Sequence, residues 1–524
     1  MANKTLFAGT PGKLLPRVDV VNAAGGAAYA LPPRAALAQY TATGCLNGTF
    51  YADAQTQLAA VLALCAEVEP QFIAKTAIHA RERGAMKDMP ALLAAVLSVR
   101  APVLLPAVFA RVIDSPKMLR NFVQILRSGV VGRKSLGTAP KRLVQKWLDA
   151  ASDLTLLNGS VGNEPSLADI VKMMHPRPVN PAREAFYGWL IGRNVDEAKL
   201  PDVVQQFERA KRGEGPAPKL DFRLMTGLPL TTAEWKALAL GMSWTATRMN
   251  LNTLARHGVF ADADDDIVEV IAARLRDPEL VRKAKAFPYQ VLVALRMARV
   301  EVPTKVREAL QDALEIATGN VPAIAGRVVV CVDVSGSMGS PVTGYRAGAT
   351  TAVTCREVAA LLTVSLLKRN PLARVLPFDT ALHEVALNPR DSLATNAARL
   401  ATLGGGGTDL HLPLARLNME RASADLVVYV SDNQSWVDTR PATRPTATLR
   451  EWALFKARNP AAKLVCVDLQ PYADTQVAER GDILNVGGFG DSVMAVIARF
   501  AAGELSAAHW VGEIEKIPLQ SSGL

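Results

Sequence analysis

From about residue 32 to 318, apolar side chains recur three and four positions apart, in short runs interrupted by Pro, Gly and Asp. Ala91-Leu92-Leu93-Ala94-Ala95-Val96-Leu97, Arg142-Leu143-Val144-Gln145-Lys146-Trp147-Leu148 and Tyr289-Gln290-Val291-Leu292-Val293-Ala294-Leu295-Arg296-Met297 are examples. This period predicts many short amphipathic helices, and no run in the region reads as a strand. A helix of that length cannot bury its apolar face alone, so antiparallel pairs stacked as a curved solenoid are expected. Pairs of the HEAT type recur at about 40–47 residues, which leaves room for roughly six or seven.

After Thr318-Gly319-Asn320-Val321-Pro322 the pattern changes. Apolar runs at 327–332, 374–378, 426–431 and 463–469 read as buried strands. Helical runs at 351–368, 409–421, 448–458 and 491–502 alternate with them. Alternation of this kind predicts a mostly parallel, doubly wound sheet covered on both faces. The ends are harder to read. Residues 1–31 are rich in Gly, Ala and Pro and are expected to be irregular, and the tail 504–524 has no clear element. The domains expected are therefore an irregular segment 1–31, a helical module 32–320, an α/β domain 321–503 and a tail 504–524.

The chemistry sits where the strands end. Asp333-Val334-Ser335-Gly336-Ser337 follows the first strand and places three hard oxygen donors on a turn. Gly404-Gly405-Gly406-Gly407-Thr408-Asp409 offers a hydroxyl on a loop, and Ser431-Asp432-Asn433 closes the third strand. Ligand sites of parallel sheets lie at the carboxyl ends of their strands. Asp333, Ser335, Ser337, Thr408 and Asp432 together supply the small oxygen set that suits Mg²⁺, or another hard divalent cation, with water completing the shell. Ser, Gly and Asp also make ordinary turns, so it is the second and third segments that give the first its weight.

Net charge is uneven. Residues 321–524 carry 19 basic and 19 acidic side chains and residues 1–320 carry 40 and 30, so the entire excess of +10 lies in the first part. Arg111 to Lys146 holds nine basic residues (Arg111, Lys117, Arg120, Arg127, Arg133, Lys134, Lys141, Arg142, Lys146) against one acid, Asp114. A helix face kept in water would look similar residue by residue, but the local imbalance is what a polyanion site requires. Trp147, Trp189, Trp235 and Trp244 fall at helical spacing and read as core.

Other chemistries are poorly supported. Cys45, Cys65, Cys331, Cys355 and Cys466 are odd in number and far apart, with no CxxC, so zinc and structural disulfides are not expected. HExxH and GxSxG are absent, and two aspartates among hydroxyls are too few carboxylates for a two-metal nuclease. No catalytic residue is assigned and the chain is not expected to be an enzyme. With no apolar run of membrane length and no secretory leader at Met1-Ala2-Asn3-Lys4-Thr5, a cytoplasmic protein is expected.

The stretch from about 325 to 503 resembles a von Willebrand factor A domain with its metal-ion-dependent adhesion site. The pattern Asp-x-Ser-x-Ser, then Thr, then Asp falls on Asp333, Ser335, Ser337, Thr408 and Asp432. Joined to a helical solenoid, it resembles the Ro autoantigen family, whose helical part is the TROVE module. Ser128 to Leu148 is similar to that family's basic helix, Met174-His175-Pro176-Arg177-Pro178 to its His-x-Lys-Pro turn with Arg177 in place of Lys, and Ala284 to Leu295 to a late helix. The resemblance implies a monomeric ring of HEAT-like helical repeats closed by the von Willebrand factor A domain. It further implies that a basic outer surface binds small noncoding Y-like RNAs and that single-stranded 3′ ends of misfolded or immature RNAs enter the central hole. The expected role is an RNA quality-control or processing adaptor for exoribonucleases. Arg111, Arg127, Arg133, Lys134, Lys141, Arg142, Lys146, His175 and Arg177 are the expected RNA contacts. A different class of function remains open, a protein-interaction scaffold whose metal grips an acidic ligand.

Overall fold

The computed structural model describes residues 15–43, 46–133, 135–162, 165–345, 353–436, 444–505 and 509–519. It divides into two compact units. One contains residues up to 64 together with 236–513, and the other 65–235 with the C-terminal residues from 514.

In the first unit, β3 (Val328–Asp333), β4 (Arg374–Phe378), β5 (Leu426–Ser431), β6 (Lys463–Asp468) and β8 (Ile483–Gly487) form a five-stranded sheet in the order β4-β3-β5-β6-β8. Every neighbouring pair in it is parallel. Val329, Cys331, Val427, Tyr429, Leu464 and Cys466 project from one face. They pack on Leu414 and Leu417 of helix Leu412–Met419 and on Leu449, Trp452 and Phe455 of helix Ala447–Arg458. The opposite face meets helices Cys355–Arg369 and Asp491–Ala501. β3 and β5 are buried along their whole length, as continuous Val/Leu runs require when both faces are covered. Because the chain leaves β3 toward β4 on one side and β5 toward β6 on the other, the carboxyl ends of β3 and β5 flank the switch point of the sheet.

The expected strands all form. β8 and helix Leu393–Ala401 were not expected. Asn485 interrupts the apolar run of β8, yet it is buried, bonded to Thr475 Oγ1 (2.8 Å) and donating to the Val477 carbonyl (3.1 Å). A second difference lies at the N-terminus. Within the segment expected to be irregular, β1 (Val20–Val21) and β2 (Ala27–Ala30) form a hairpin, and β2 pairs antiparallel with β7 (Asp474–Thr475). Strands of two and four residues carry no readable period, and their partner lies more than 440 positions away. Gly26 is required there, because a Cβ would sit 2.0 Å from the Ser435 carbonyl oxygen.

The compact unit that holds the sheet reaches back across the boundary expected at 320. Helices from Trp244–Arg256 to Thr304–Ala317 group with the sheet. Glu315 shows why: it pairs with Lys368 and accepts from the Leu393 backbone N–H at 2.5 Å, while Arg369 Nε donates to the Val321 carbonyl (2.9 Å).

The second unit is wholly helical among its described residues. Helix Asp88–Arg100 is its centre, buried from Met89 through Ser98 and packed on Pro70–Glu82, Leu105–Val112 and Pro116–Ser128. Local signals set the helix starts. Ser115 caps Pro116–Ser128, and Ser166 with Asp169 makes a capping box for Leu167–Met174. The tail is not shapeless, since helix His509–Glu515 ends in buried Ile514 and is followed by buried Ile517. Lys75 Nζ donates to the Glu515 carbonyl at 2.6 Å.

Cys65, Cys331, Cys355 and Cys466 are free and buried, while Cys45 lies outside the described residues. No helix among the described residues is long and apolar enough to cross a membrane.

One acid in the sheet unit gives a pH prediction. Burial pushes the half-buried Glu479 carboxyl up to about 7. The folded chain therefore holds a proton that the unfolded chain releases near pH 4.5, so this group's stability is present below that pH and lost as pH rises through about 7. Glu479→Gln should raise the melting temperature at pH 8 and leave it nearly unchanged at pH 4. The difference corresponds to at most ~3 kcal/mol, and thermal unfolding across that pH range checks it.

Candidate metal centre and basic helical surface

The five oxygen-bearing residues expected to hold a metal converge at the switch point of the sheet. Asp333, Ser335, Thr408 and Asp432 are at most 2 % exposed and Ser337 is 5 % exposed. Asp333 ends β3, and its two oxygens accept from the Ser335 N–H (2.8 Å) and the Ser431 hydroxyl (2.6 Å). The turn then brings Ser335 Oγ within 3.2 Å of Ser337 Oγ. Across the switch point, Asp432 Oδ1 accepts from the Gln434 N–H at 3.3 Å, and a hydrogen bond joins Asp432 to Ser337.

The glycine loop is stitched to this turn. Gly336 N–H donates to the Gly406 carbonyl (2.8 Å) and Gly405 N–H to the Val334 carbonyl (2.9 Å). Gly404 has φ +70°, and a Cβ there would meet the Val334 carbonyl at 2.4 Å, so only glycine allows the loops to lie this close. Asp379, just beyond β4, accepts from the Gly406 N–H (3.0 Å), and Ser435 Oγ donates to the Thr408 carbonyl (3.1 Å). Arg356 donates to the Ser335 carbonyl at 2.8 Å.

Electrostatics mark the pair of aspartates. Burial pushes the Asp333 carboxyl up, against the hydrogen bonds from Ser335 and Ser431. Burial and the neighbouring Asp333 raise Asp432 to about 7. Two buried acids facing one another are costly unless a cation or a shared proton compensates them. Among the described residues, no three His, Cys, Asp or Glu side chains are grouped to hold an ion. A cation here would rest on two carboxylates and three hydroxyls. The serine separation fits that use, because adjacent oxygens around Mg²⁺ are about 3 Å apart in an octahedron with metal–oxygen distances of about 2.1 Å.

Tyr51 was not foreseen. Its phenol hydrogen-bonds with Ser337 and lies near Asp432, although it comes from an irregular stretch far from the motif. Asp379 and Arg356 were missed as well. Arg356 sits in the first turn of a helix, where only the fold shows that it reaches the Ser335 loop.

In the helical unit, the expected basic residues separate into groups. Lys141 and Arg142 of helix Thr138–Ala150 line a cavity of about 440 Å³ with Gln145, Met173 and Met174. Gln145 Nε2 donates to the Met174 carbonyl at 2.7 Å, which ties this helix to the exposed His175 at the end of Leu167–Met174. His175 has φ +48° and accepts the role of helix C-cap, so the turn through exposed Arg177 departs sharply from the helix axis. A neighbouring cavity of about 530 Å³ is lined by Arg127, Gln124, Asp169, Lys172 and Met173. Lys172, not among the expected contacts, lies three residues before His175 on the same amphipathic helix. Lys146 is exposed on the same helix as Arg142, one turn on.

Two arginines are occupied internally. Arg111 makes a bidentate pair with Glu82 (2.7 Å to each oxygen) and donates to the Pro518 carbonyl (2.7 Å), so the tail and a neighbouring helix hold it. Arg133 donates to the Leu136 carbonyl (2.8 Å). Lys134 lies outside the described residues. Trp235 and Trp244 are core residues as expected, whereas Trp147 is only half-buried.

Residues 327–501 match the family described as the Ro60 vWA domain. The fold and this match define a von Willebrand factor A domain joined to a helical module. Along most of its length the chain is similar to proteins of the Ro family. It is similar to the RNA-binding protein RO60 of Deinococcus radiodurans, 27 % identical over 531 aligned residues that cover 93 % of this chain and 96 % of that protein. The RNA-binding protein RO60 of Caenorhabditis elegans is 24 % identical over 283 residues, covering 52 % of this chain and 42 % of that one. The crystal structure of the Deinococcus radiodurans RO (RSR) protein shares the fold, with a TM-score of 0.61 and 24 % identity, covering 90 % of this chain and all of that one.

Proposed function

We propose that this chain is a noncoding-RNA-binding protein of Ro type. It takes structured Y-like small RNAs on its basic helical surface and single-stranded ends of misfolded or immature RNAs in a central hole, and presents them to exoribonucleases in the cytoplasm. The observation that carries the RNA surface is the shared cavity of Lys141 and Arg142 with the helix that ends in His175. Neither Lys141 nor Arg142 has an ion-pair partner among the described residues, so their charge is available to phosphates. The name of the relative that is matched over nearly its whole length supports the same reading. Arg127, Lys172, Lys146 and Arg177 extend the surface, and their affinity would be largely independent of sequence.

Asp333, Ser335, Ser337, Thr408 and Asp432 would hold Mg²⁺ or another divalent cation, whose contribution is an open coordination position for an acidic group of a partner. The buried aspartate pair favours this role for the site. The chain acts as a binder in this account, with no residue assigned to catalysis.

Purification without nuclease tests the proposal. The expected result is protein with a raised 260/280 absorbance ratio, from which discrete small RNAs can be extracted and sequenced. Protein that carries no RNA, and gains none from cell extract, would favour a metal-dependent protein scaffold instead.

A further inference from the structure

The helical unit contains a further cavity, which shares only Lys146 with the RNA surface described above. It measures about 190 Å³ and lies between helices Leu105–Val112 and Thr138–Ala150, walled by Phe109, Ile113, Leu143 and Trp147. Lys146 and Asp114 are the charged members of its lining. An apolar cavity of about 150 Å³ is large enough to admit a benzene ring, so this one accommodates a flat aromatic group. The Trp147 N–H is already donated to the Ile113 carbonyl at 2.7 Å. What the indole offers a ligand is therefore ring surface, suited to stacking.

The charged groups narrow the ligand. Lys146 has no ion-pair partner among the described residues and lies one turn beyond Arg142 on the same helix, so a phosphate chain following this basic face arrives at the cavity. Asp114 is held by Arg81 through contacts of 2.6–2.9 Å but keeps 44 % of its side chain exposed, leaving acceptor capacity toward an amino group. A cation for the phosphate, aromatic walls for the ring and an acceptor for its edge are the contacts that an unpaired nucleobase makes.

We infer that Phe109, Ile113, Leu143 and Trp147 form a pocket for one unstacked base of single-stranded RNA, with Lys146 binding the adjoining phosphate. This rests on the RNA-binding reading and adds a base-stacking subsite to it.

The test uses the full chain, a labelled ten-nucleotide oligoadenylate and an abasic strand of equal length. Ala110→Leu and Ala150→Leu each fill the cavity from one of its two helices, and unfolding temperatures identify a variant that folds normally. The wild-type chain is expected to prefer oligoadenylate over the abasic strand. Base stacking contributes ~1–3 kcal/mol, so either filled variant should lose ~5- to 150-fold in oligoadenylate affinity while binding the abasic strand as before. A filled variant that melts like wild type and binds oligoadenylate equally well overturns the pocket, as does equal wild-type binding of both strands. An apolar protein side chain would then be the better occupant. A wild-type chain that binds neither strand would instead remove the RNA reading itself.

Discussion

Lys141→Glu with Arg142→Glu is expected to lower the affinity for a structured small RNA by about 100-fold or more at physiological salt. Each side chain would otherwise make a charge-assisted contact to phosphate, a type worth ~1.5–3 kcal/mol. Reversal also adds repulsion, and the two cations are available because no carboxylate among the described residues holds them. Neither residue is buried, so the melting temperature should move little. A filter-binding titration decides it, and unchanged affinity in the folded variant would remove this surface from the account. Arg111 serves as the contrast. Its pair with Glu82 and its bond to the Pro518 carbonyl mean that Arg111→Ala should cost stability more than RNA affinity.

Asp333→Ala is expected to abolish Mg²⁺ binding and leave RNA affinity within about twofold. The substitution deletes one of two carboxylates and frees the Ser431 hydroxyl and the Ser335 N–H that Asp333 now accepts. In the wild-type chain, Mg²⁺ at ~100 times its Kd would add about 2.7 kcal/mol to folding stability. The variant should melt at the same temperature with and without Mg²⁺. Calorimetric titration gives a second readout. Loss of RNA binding in parallel, in a folded variant, would show that the two activities depend on each other.

Much of this was legible in the sequence because the signals are local. Continuous Val/Leu runs announce β3 and β5, and Asp333, Ser335 and Ser337 are spaced so that a single turn gathers them. Asp432 follows from the same logic, since parallel strands deliver their following loops to one edge, whereas the Thr408 loop follows helix Leu393–Ala401 and is held to the Asp333 turn by backbone bonds of Gly405 and Gly406. What could not be read depends on distant partners. Asn485 breaks the pattern of β8 and is satisfied only by Thr475 and Val477, and the β1–β2 hairpin exists because β7 offers it an edge. Tyr51 reaches Ser337 across some 290 positions. The basic cluster shows the limit of composition: the imbalance between residues 111 and 146 is plain in the sequence, but only the fold separates Arg111, held by Glu82, from Lys141 and Arg142. Trp147 shows the same limit, because helical spacing made it a core residue and the structure places it on the wall of a cavity.

RNA binding through a phosphate-reading helical surface is the central claim, and its salt dependence tests it most directly. The affinity of the full chain for a structured small RNA, followed by fluorescence anisotropy from low to physiological salt, should fall linearly with salt on logarithmic axes. The slope should become shallower by about two when Lys141 and Arg142 are replaced by neutral residues. A wild-type chain that binds no RNA at physiological salt, or one whose slope is unaltered by those replacements, would contradict the account.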